Sequence, residues 1–191
     1  DLVRSRGLGD VYKRQMEDFL DQTRDLVRAE RFLVGARILS GLVDPLEAGK
    51  AYAGIASATV DVCLSRCIEE LAQRHGQVPG SRVAVVALGK LGGREMTAVS
   101  DLDLMLIYDV AGTAEQSTGE KPLYASEWYS RLIQRLVTAL TAPTKRGALY
   151  DVDLRLRPSG GKGPVAVTLD AFREYHAKES ETWERMALTR A

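Results

Sequence analysis

The sequence has little of three things that define common function classes: cysteine, histidine and an excess of charge. Of its 191 residues, 2 are cysteine and 2 are histidine, and 26 basic residues balance 26 acidic ones. Cys63 and Cys67 lie four positions apart in a helical pattern without a partner pair, which predicts reduced thiols rather than a zinc site or a disulfide. The balanced charge lacks the basic surplus that is typical of nucleic-acid-binding proteins.

Long hydrophobic runs are also absent. No apolar stretch reaches the length of a membrane span, and no signal-peptide pattern is visible, so we expect a cytoplasmic protein without a membrane partner. Asp1 to Gln15 shows no steady apolar period, and we interpret it as a non-native leader ahead of Met16. The sequence stops inside a helical pattern at Ala191, which predicts a fragment of a longer protein.

The remaining pattern predicts an α+β domain, in which helices flank a small mixed sheet. We expect a helical segment over residues 16–78, a catalytic core over 79–166, and the start of a further helical region over 167–191. Asp44-Pro45 begins a long helix that runs towards His75-Gly76. Ser126 is a candidate cap for a later helix with apolar residues at every fourth position. The apolar run Val83 to Leu88 is typical of a buried strand.

Two acids mark the start of a second predicted strand. Asp101 and Asp103 flank Leu102, and apolar residues continue to Tyr108. Alternate residues of a strand point to the same side with Cα atoms about 6.5–7 Å apart. Both carboxylates can therefore converge on a pair of cations. The alternatives are one raised pKa or a pair of carboxylates left in water.

A third acid follows about fifty residues later. Leu149 to Pro158 alternates polar and apolar residues, so a strand there would place Asp151, Asp153, Arg155 and Arg157 on one face. In one interpretation this face carries surface ion pairs, each of small energetic value. In the other, Asp153 joins the first two acids as a metal ligand and the arginines face a triphosphate or substrate. The pattern does not separate the two.

The turn between the first two strands is rich in glycine. Gly89, Lys90, Gly92 and Gly93 can present backbone N–H groups and a positive charge to phosphate oxygens. An ordinary strand-to-helix connection explains the same residues. Neither this turn nor the later glycine-rich loop over 159–164 matches the fingerprint of a P-loop or of a Rossmann dinucleotide site.

Four motifs in order carry a family resemblance. They are Gly89-Lys90-Leu91-Gly92-Gly93-Arg94-Glu95, Ser100-Asp101-Leu102-Asp103-Leu104, Val152-Asp153-Leu154-Arg155-Leu156-Arg157-Pro158-Ser159-Gly160 and Trp183-Glu184. Together they resemble the glutamine synthetase adenylyltransferase family, a branch of the DNA polymerase beta-like nucleotidyltransferases. The resemblance extends from about Phe32 to Arg190.

The resemblance implies a nucleotidyltransferase fold and a reaction that moves AMP from ATP to a tyrosine hydroxyl of glutamine synthetase, releasing pyrophosphate, in the regulation of nitrogen assimilation. It implies two Mg²⁺ ions held by the catalytic carboxylates Asp101, Asp103 and Asp153. The nucleotide phosphates would lie against Gly89, Lys90, Gly92, Gly93, Ser100, Arg155 and Arg157.

The family has two related halves, and the forms around Arg157 and the C-terminal residues resemble the AMP-attaching half. The alternatives are the adenylyl-removing half, which phosphorolyses adenylyl-tyrosine to ADP, and a non-catalytic regulatory nucleotide-binding module. The implied partners are glutamine synthetase and, through the full-length enzyme, a PII-type signalling protein.

Overall fold

The computed structural model describes residues 2–112, 114–144 and 146–191, with side chains from residue 14 onward. It has the predicted α+β class, with helices around a small mixed sheet. The helices are α1 (Leu2–Leu39), α2 (Pro45–His75), α3 (Gly89–Gly92), α4 (Ala125–Thr141), α5 (Leu169–Lys178) and α6 (Thr182–Leu188), and the strands are β1 (Ser81–Ala87), β2 (Leu102–Val110), β3 (Val152–Asp153) and β4 (Ala166–Thr168).

Strand β2 is the centre of the sheet. It pairs antiparallel with β1, with Ala87 opposite Leu104 and Ser81 opposite Val110. Its other edge pairs parallel first with β3 and then, farther along, with β4. Both edges of β2 are paired, and Leu104 and Met105, whose side chains point to opposite faces, are both buried, as predicted for the strand that begins beside the two acids.

The long helix α2 begins and ends where the sequence predicts. The Asp44 side chain accepts hydrogen bonds from the backbone N–H groups of Leu46 and Glu47 at 2.8 and 3.0 Å, and Pro45 occupies the first turn. At the other end Gly76 adopts a φ of 66°, which a residue with a Cβ rarely takes. Both signals are local, so the sequence alone defines this helix.

The helix that precedes α2 begins at Leu2 rather than at Met16. The predicted leader from Asp1 to Gln15 includes Asp1, which lies outside the described residues, and extends over positions whose side chains are not described. Its assignment as a non-native segment therefore stays a prediction.

Helix α4 covers the sheet with the predicted apolar stripe. Trp128, Leu132, Leu136 and Leu140 are all buried. The predicted cap at Ser126 is wrong: the helix begins at Ala125, because the chain already turns into helical geometry after Tyr124 and no side chain caps it.

Aromatic contacts fix α4 against the start of β1. The rings of Tyr108 and Tyr129 stack with centroids 4.2 Å apart, and the Tyr129 hydroxyl donates to Ser81 Oγ at 2.7 Å. Trp128 Nε1 donates to the carbonyl of Gly76 at 2.9 Å. These buried polar tips are satisfied, so the aromatic side chains add packing without leaving an unpaired donor.

The predicted strand over Leu149 to Pro158 is wrong on both sides of Val152 and Asp153. Strand β3 contains only Val152 and Asp153, and a turn follows. The physical reason is local: the Asp153 carboxylate accepts a hydrogen bond from the backbone N–H of Arg155 at 2.7 Å, which bends the chain out of the extended conformation. Alternation therefore does not place Asp151, Asp153, Arg155 and Arg157 on one strand face.

Both cysteines are free and buried within α2. Burial raises the pKa of Cys63 to about 11 and that of Cys67 to about 12, so both remain protonated at neutral pH. Within the described residues, the helices include none with the length and hydropathy of a membrane span.

We predict that Gly119→Ala destabilises the domain. A Cβ at Gly119 would lie 2.2 Å from the backbone carbon of His75 and 2.3 Å from the nitrogen of Gly76, and neither atom can rotate away. Overpacking of this kind typically costs about 1–3 kcal/mol in the free energy of unfolding, which lowers the melting temperature by about 2–4 °C for each kcal/mol. Thermal unfolding followed by circular dichroism measures the change.

Gly54→Ala provides the matched control. Gly54 lies inside α2, and a Cβ there meets no atom within 4 Å. The better helix propensity of alanine should raise stability by about 0.5–1 kcal/mol. If Gly119→Ala leaves stability unchanged or raises it as Gly54→Ala does, the close backbone contact does not restrict the side chain at position 119.

Candidate active site

The predicted acids lie where β2 begins, beside the glycine-rich turn. The backbone N–H of Leu88 donates to the carbonyl of Asp103 at 2.9 Å, which joins the end of β1 to the start of β2. Gly89 follows with a φ of 56°, and a Cβ there would lie 2.1 Å from Asp103 Oδ2. The carboxylate of Asp103 therefore occupies the space that the missing side chain of Gly89 leaves.

The turn itself is the short helix α3 rather than an irregular loop. The N–H groups of Gly92 and Gly93 donate to the carbonyls of Leu88 and Gly89, both at 3.0 Å. The carbonyl of Arg190 packs on Gly92, where a Cβ would lie 1.8 Å from that oxygen. The turn residues thus have a structural function as a close packing surface, and their predicted contact with phosphates stays a prediction.

Ser100 is buried within the local chain. Its Oγ accepts a hydrogen bond from the backbone N–H of Thr97 at 2.9 Å and lies 3.0 Å from Thr97 Oγ1. This turn fixes the chain directly before Asp101. The structure thus gives Ser100 a positioning contact, whereas its predicted contact with phosphate is untested.

The register of β2 and β3 brings Asp153 beside Asp103, while Asp101 lies exposed directly before β2. Asp103 and Asp153 are Cα partners across the parallel pair, as are Leu102 and Val152. The backbone N–H of Leu102 donates to the carbonyl of Asp151 at 2.9 Å. Residues fifty positions apart in sequence are therefore direct neighbours in the sheet.

Arg155 binds the carboxylate of Asp153. Arg155 Nε donates to Asp153 Oδ2 at 2.8 Å, and Nη2 donates to the same oxygen at 2.5 Å. The arginine side chain is 82% exposed, whereas that of Asp153 is 18% exposed. Because its surroundings do not enclose Arg155, the guanidinium can leave this ion pair without breaking the core.

The acids differ in their affinity for protons. Partial burial raises the pKa of Asp103, and the negative charges of Asp101 and Asp153 raise it further. The hydrogen bond from Arg155 instead lowers the pKa of Asp153. Asp153 is therefore ionised with Arg155 as its cationic partner, whereas ionisation of Asp103 is disfavoured.

Asp101, Asp103 and Asp153 fit divalent cations by donor chemistry. Carboxylate oxygens are the ligands that Mg²⁺ prefers. Burial and the negative charges of Asp101 and Asp153 raise the pKa of Asp103, so a nearby cation would favour its ionised form. In the described residues, His, Cys, Asp and Glu side chains do not converge as a ready-made group of three or more ligands. For Asp153, the observed ion pair with Arg155 is the competing contact.

Arg157 makes its observed contacts within the loop that follows β3. It is buried, and its guanidinium donates to the carbonyls of Leu154 at 2.7 Å, Pro164 at 3.0 Å and Gly163 at 3.3 Å. These bonds close the glycine-rich loop that follows β3. Its predicted contact with nucleotide is untested, and its observed contacts are structural.

The sequence pattern gave no role to two acidic residues of the motifs, Glu95 and Glu184. Arg190 Nη2 lies 3.2 Å from Glu95 Oε2, so an ion pair joins the C-terminal residues to the segment that follows α3. Glu184 is buried and accepts a hydrogen bond from the Tyr175 hydroxyl at 2.8 Å, which holds α6 against α5. Motif matching marked Glu95 and Glu184, but their partners became visible only in the fold.

We predict opposite effects of Asp103→Asn and Asp153→Asn on stability at neutral pH without divalent cations. The folded-state pKa of Asp103 is raised, so its ionised form is penalised above that pKa, and the neutral amide should raise the melting temperature. The folded-state pKa of Asp153 is lowered, so its ionised form stabilises the fold above the unfolded pKa. Its amide should lower the melting temperature.

Melting curves recorded from neutral to acidic pH in a chelating buffer test this pair. The advantage of Asp103→Asn should begin to fall as the pH drops below the folded-state pKa of Asp103 and should vanish below its unfolded-state pKa. The deficit of Asp153→Asn should vanish as the pH falls through the lower folded-state pKa of Asp153. Effects of the same sign at neutral pH would contradict the charge distribution described above.

Comparison with known proteins identifies the family. Residues 5–191 match the family described as glutamate-ammonia ligase adenylyltransferase. The chain is 49% identical over 178 residues to the bifunctional glutamine synthetase adenylyltransferase/adenylyl-removing enzyme of Mesorhizobium japonicum, 51% over 175 residues to that of Brucella suis, and 48% over 178 residues to that of Agrobacterium fabrum.

These alignments cover 92–93% of the chain but 18% of each relative, so the chain spans under a fifth of the length of the curated relatives it matches. The family match extends over the glycine-rich turn, the three acids and both C-terminal helices. The chain belongs to the glutamate-ammonia ligase adenylyltransferase family.

Proposed function

We propose that this chain forms a nucleotidyltransferase centre that moves AMP from ATP to a tyrosine hydroxyl of glutamine synthetase and releases pyrophosphate. One observation carries the proposal: β2 and β3 pair in a register that sets Asp103 beside Asp153, in a chain of a family whose members are adenylyltransferases. The α+β arrangement around this pair corresponds in our proposal to the nucleotidyltransferase fold of the polymerase beta-like group.

Asp101, Asp103 and Asp153 would hold two Mg²⁺ ions, which would supply neutralisation of the phosphate charges and of the leaving pyrophosphate. The charge on Asp103 supports this assignment, because the carboxylate that like charges and burial disfavour is the one that gains most from a nearby cation. Gly89 supports it as well, since any larger residue would displace Asp103.

The acceptor hydroxyl must lose its proton when its oxygen bonds to the α-phosphorus of ATP and the bond to pyrophosphate breaks. Asp153 is our candidate for lowering the pKa of that hydroxyl, as a ligand or as a direct base. While Arg155 binds it, Asp153 has a lowered pKa and is a weak proton acceptor. A direct base role therefore requires Arg155 to leave Asp153, and its exposed side chain permits this.

We assign Arg155 to the triphosphate in that state. A guanidinium that leaves one carboxylate can bind phosphate oxygens through the same paired N–H groups. Lys90, whose charge acts on Asp103, would add positive charge from the glycine-rich turn. Gly89, Gly92, Gly93 and Ser100 would border the phosphates through the backbone, and Arg157 would act through the loop that it closes.

The second candidate is the adenylyl-removing reaction, in which inorganic phosphate attacks adenylyl-tyrosine and ADP leaves. The relatives are bifunctional adenylyltransferase/adenylyl-removing enzymes, which supports this second reaction. A regulatory nucleotide-binding module without turnover is the third, and the presence of all three acids argues against it. In the longer protein we propose a cytoplasmic enzyme that responds to a PII-type signalling protein and binds neither nucleic acid nor membrane.

We predict that Asp103→Asn lowers AMP transfer by orders of magnitude, since it removes a charge from the centre of the carboxylate group. The measurement follows α-phosphate-labelled ATP in the presence of Mg²⁺ and unmodified glutamine synthetase. Asp109→Asn is the matched control. Asp109 lies on the same strand and pairs with Arg82 at 2.9 Å, so this substitution makes the same chemical change far from β3. Normal transfer by Asp103→Asn would refute the carboxylate assignment.

The two reactions of the family are separated by their acceptors. For the AMP-attaching reaction we expect label on glutamine synthetase from ATP and no ADP release from adenylylated glutamine synthetase when phosphate is added. The adenylyl-removing reaction gives the reverse. Mg²⁺-dependent ATP binding without either product would favour the regulatory module.

A further inference from the structure

A cavity of about 190 Å³ lies between α1 and the segment that leads into β3, and its lining differs from that of the acidic site. Four arginines line it together with Ala148 and Leu149: Arg24, Arg28, Arg31 and Arg146. Guanidinium groups gathered around one small space repel one another unless negative charge lies between them.

The neighbouring carboxylates balance only part of this charge. Arg146 pairs with Asp25 and lies 3.5 Å from Asp21, which also accepts from Arg24 at 3.1 Å. Two carboxylates thus serve Arg24 and Arg146, which leaves Arg28 and Arg31 without a carboxylate partner among the described residues.

Arg28 and Arg31 donate to backbone carbonyls instead. Arg28 donates to the carbonyl of Arg146, and Arg31 Nη1 donates to the carbonyl of Leu149 at 3.3 Å. A carbonyl dipole satisfies a donor but does not neutralise its charge. Each guanidinium also has further N–H groups that these single bonds leave free.

Arg24 supplies a second, independent sign of a missing acceptor. It is 3% exposed, its Nη2 donates to the carbonyl of Ala142 at 3.0 Å, and its buried Nε has no hydrogen-bond partner among the residues that the structure describes. A buried charged donor without an acceptor is costly, and native structures rarely retain one without a reason.

We propose that this cavity binds a phosphate-type oxyanion. A tetrahedral oxyanion offers several acceptor oxygens, and its negative charge would balance the positive charges of Arg28 and Arg31. The paired N–H groups of a guanidinium also match its geometry. The cavity is small, so it takes a single phosphate group, either as the free ion or as the end of a phosphorylated molecule.

Occupancy would stabilise the start of β3. Arg31 contacts the carbonyl of Leu149 and lies 5.0 Å from the ring centroid of Tyr150. The next residue, Asp151, accepts the hydrogen bond from Leu102 that opens the β2–β3 pair. An anion that holds Arg31 therefore orders the segment that delivers Asp153.

The test titrates the 191-residue chain with inorganic phosphate in a chelating buffer, at ionic strength held constant with chloride, and follows heat and melting temperature. We expect saturable binding and a rise in melting temperature that chloride does not give. Arg28→Gln and Arg31→Gln should each weaken phosphate binding by about tenfold or more, because each removes charge-assisted hydrogen bonds. Arg28 is exposed, so its variant is expected to fold even if Arg31→Gln does not.

Two control variants separate this cavity from other sites of positive charge. Arg82→Gln removes an exposed arginine of β1, and Arg173→Gln removes an exposed arginine of α5. Both should bind phosphate as the unaltered chain does. Loss of binding in either control but not in Arg28→Gln would overturn the proposal, as would equal affinity in all variants or no saturable binding.

Hydrogen exchange and a second ligand complete the test. Phosphate should protect backbone amides over residues 146–153, and unchanged exchange there would contradict the position of the site. A lower dissociation constant for glycerol 3-phosphate than for inorganic phosphate would identify a phosphorylated molecule as the ligand, and the reverse would identify the free ion. Neither result depends on AMP transfer, so failure of the proposed enzymatic function leaves this test intact.

Discussion

The parallel pairing of β2 with the two residues of β3 is the interaction on which the candidate site depends. It contains only Val152 and Asp153, yet it sets Asp153 opposite Asp103 and adds the hydrogen bond from Leu102 to Asp151. A pair this short has little stability of its own. It persists because β2 is already fixed by β1 and β4 on a buried core, and because Leu149 and Tyr150, directly before it, are buried as well.

Charge explains why the short strand stops where it does. The charges of Asp101 and Asp153 repel that of Asp103, and the arginine two residues after Asp153 offsets part of that repulsion through its ion pair with Asp153. The backbone N–H of Arg155 also donates to Asp153 and ends the extended conformation, so the turn after β3 and the lowered pKa of Asp153 both come from hydrogen bonds that Arg155 donates. The carboxylate without such a partner, Asp103, keeps a raised pKa and is the one for which a cation would matter most.

The close approach of other chain segments explains why these three positions are glycine. At Gly89 the limiting neighbour is the Asp103 carboxylate, at Gly92 it is the carbonyl of Arg190, and at Gly119 it is the end of α2. In each case two chain segments far apart in sequence approach more closely than a Cβ permits. The C-terminal residues are therefore packed against the glycine-rich turn, and the ion pair of Arg190 with Glu95 adds to that contact.

Local signals in the sequence predicted much of the fold: the limits of α2 from Asp44, Pro45 and Gly76, the buried character of β2, and the stripe of α4. The order of the four motifs also predicted the family, because a motif is defined by residue types and spacing along the chain. What the sequence could not determine was how far the alternation after Leu149 forms a strand, since period two fits both a strand and a turn whose carboxylate binds its own backbone. Only the tertiary structure decided that Asp153 pairs with Arg155, that Arg157 is buried in a loop, and that four arginines meet around one cavity, because each depends on contacts between segments that sequence spacing does not relate.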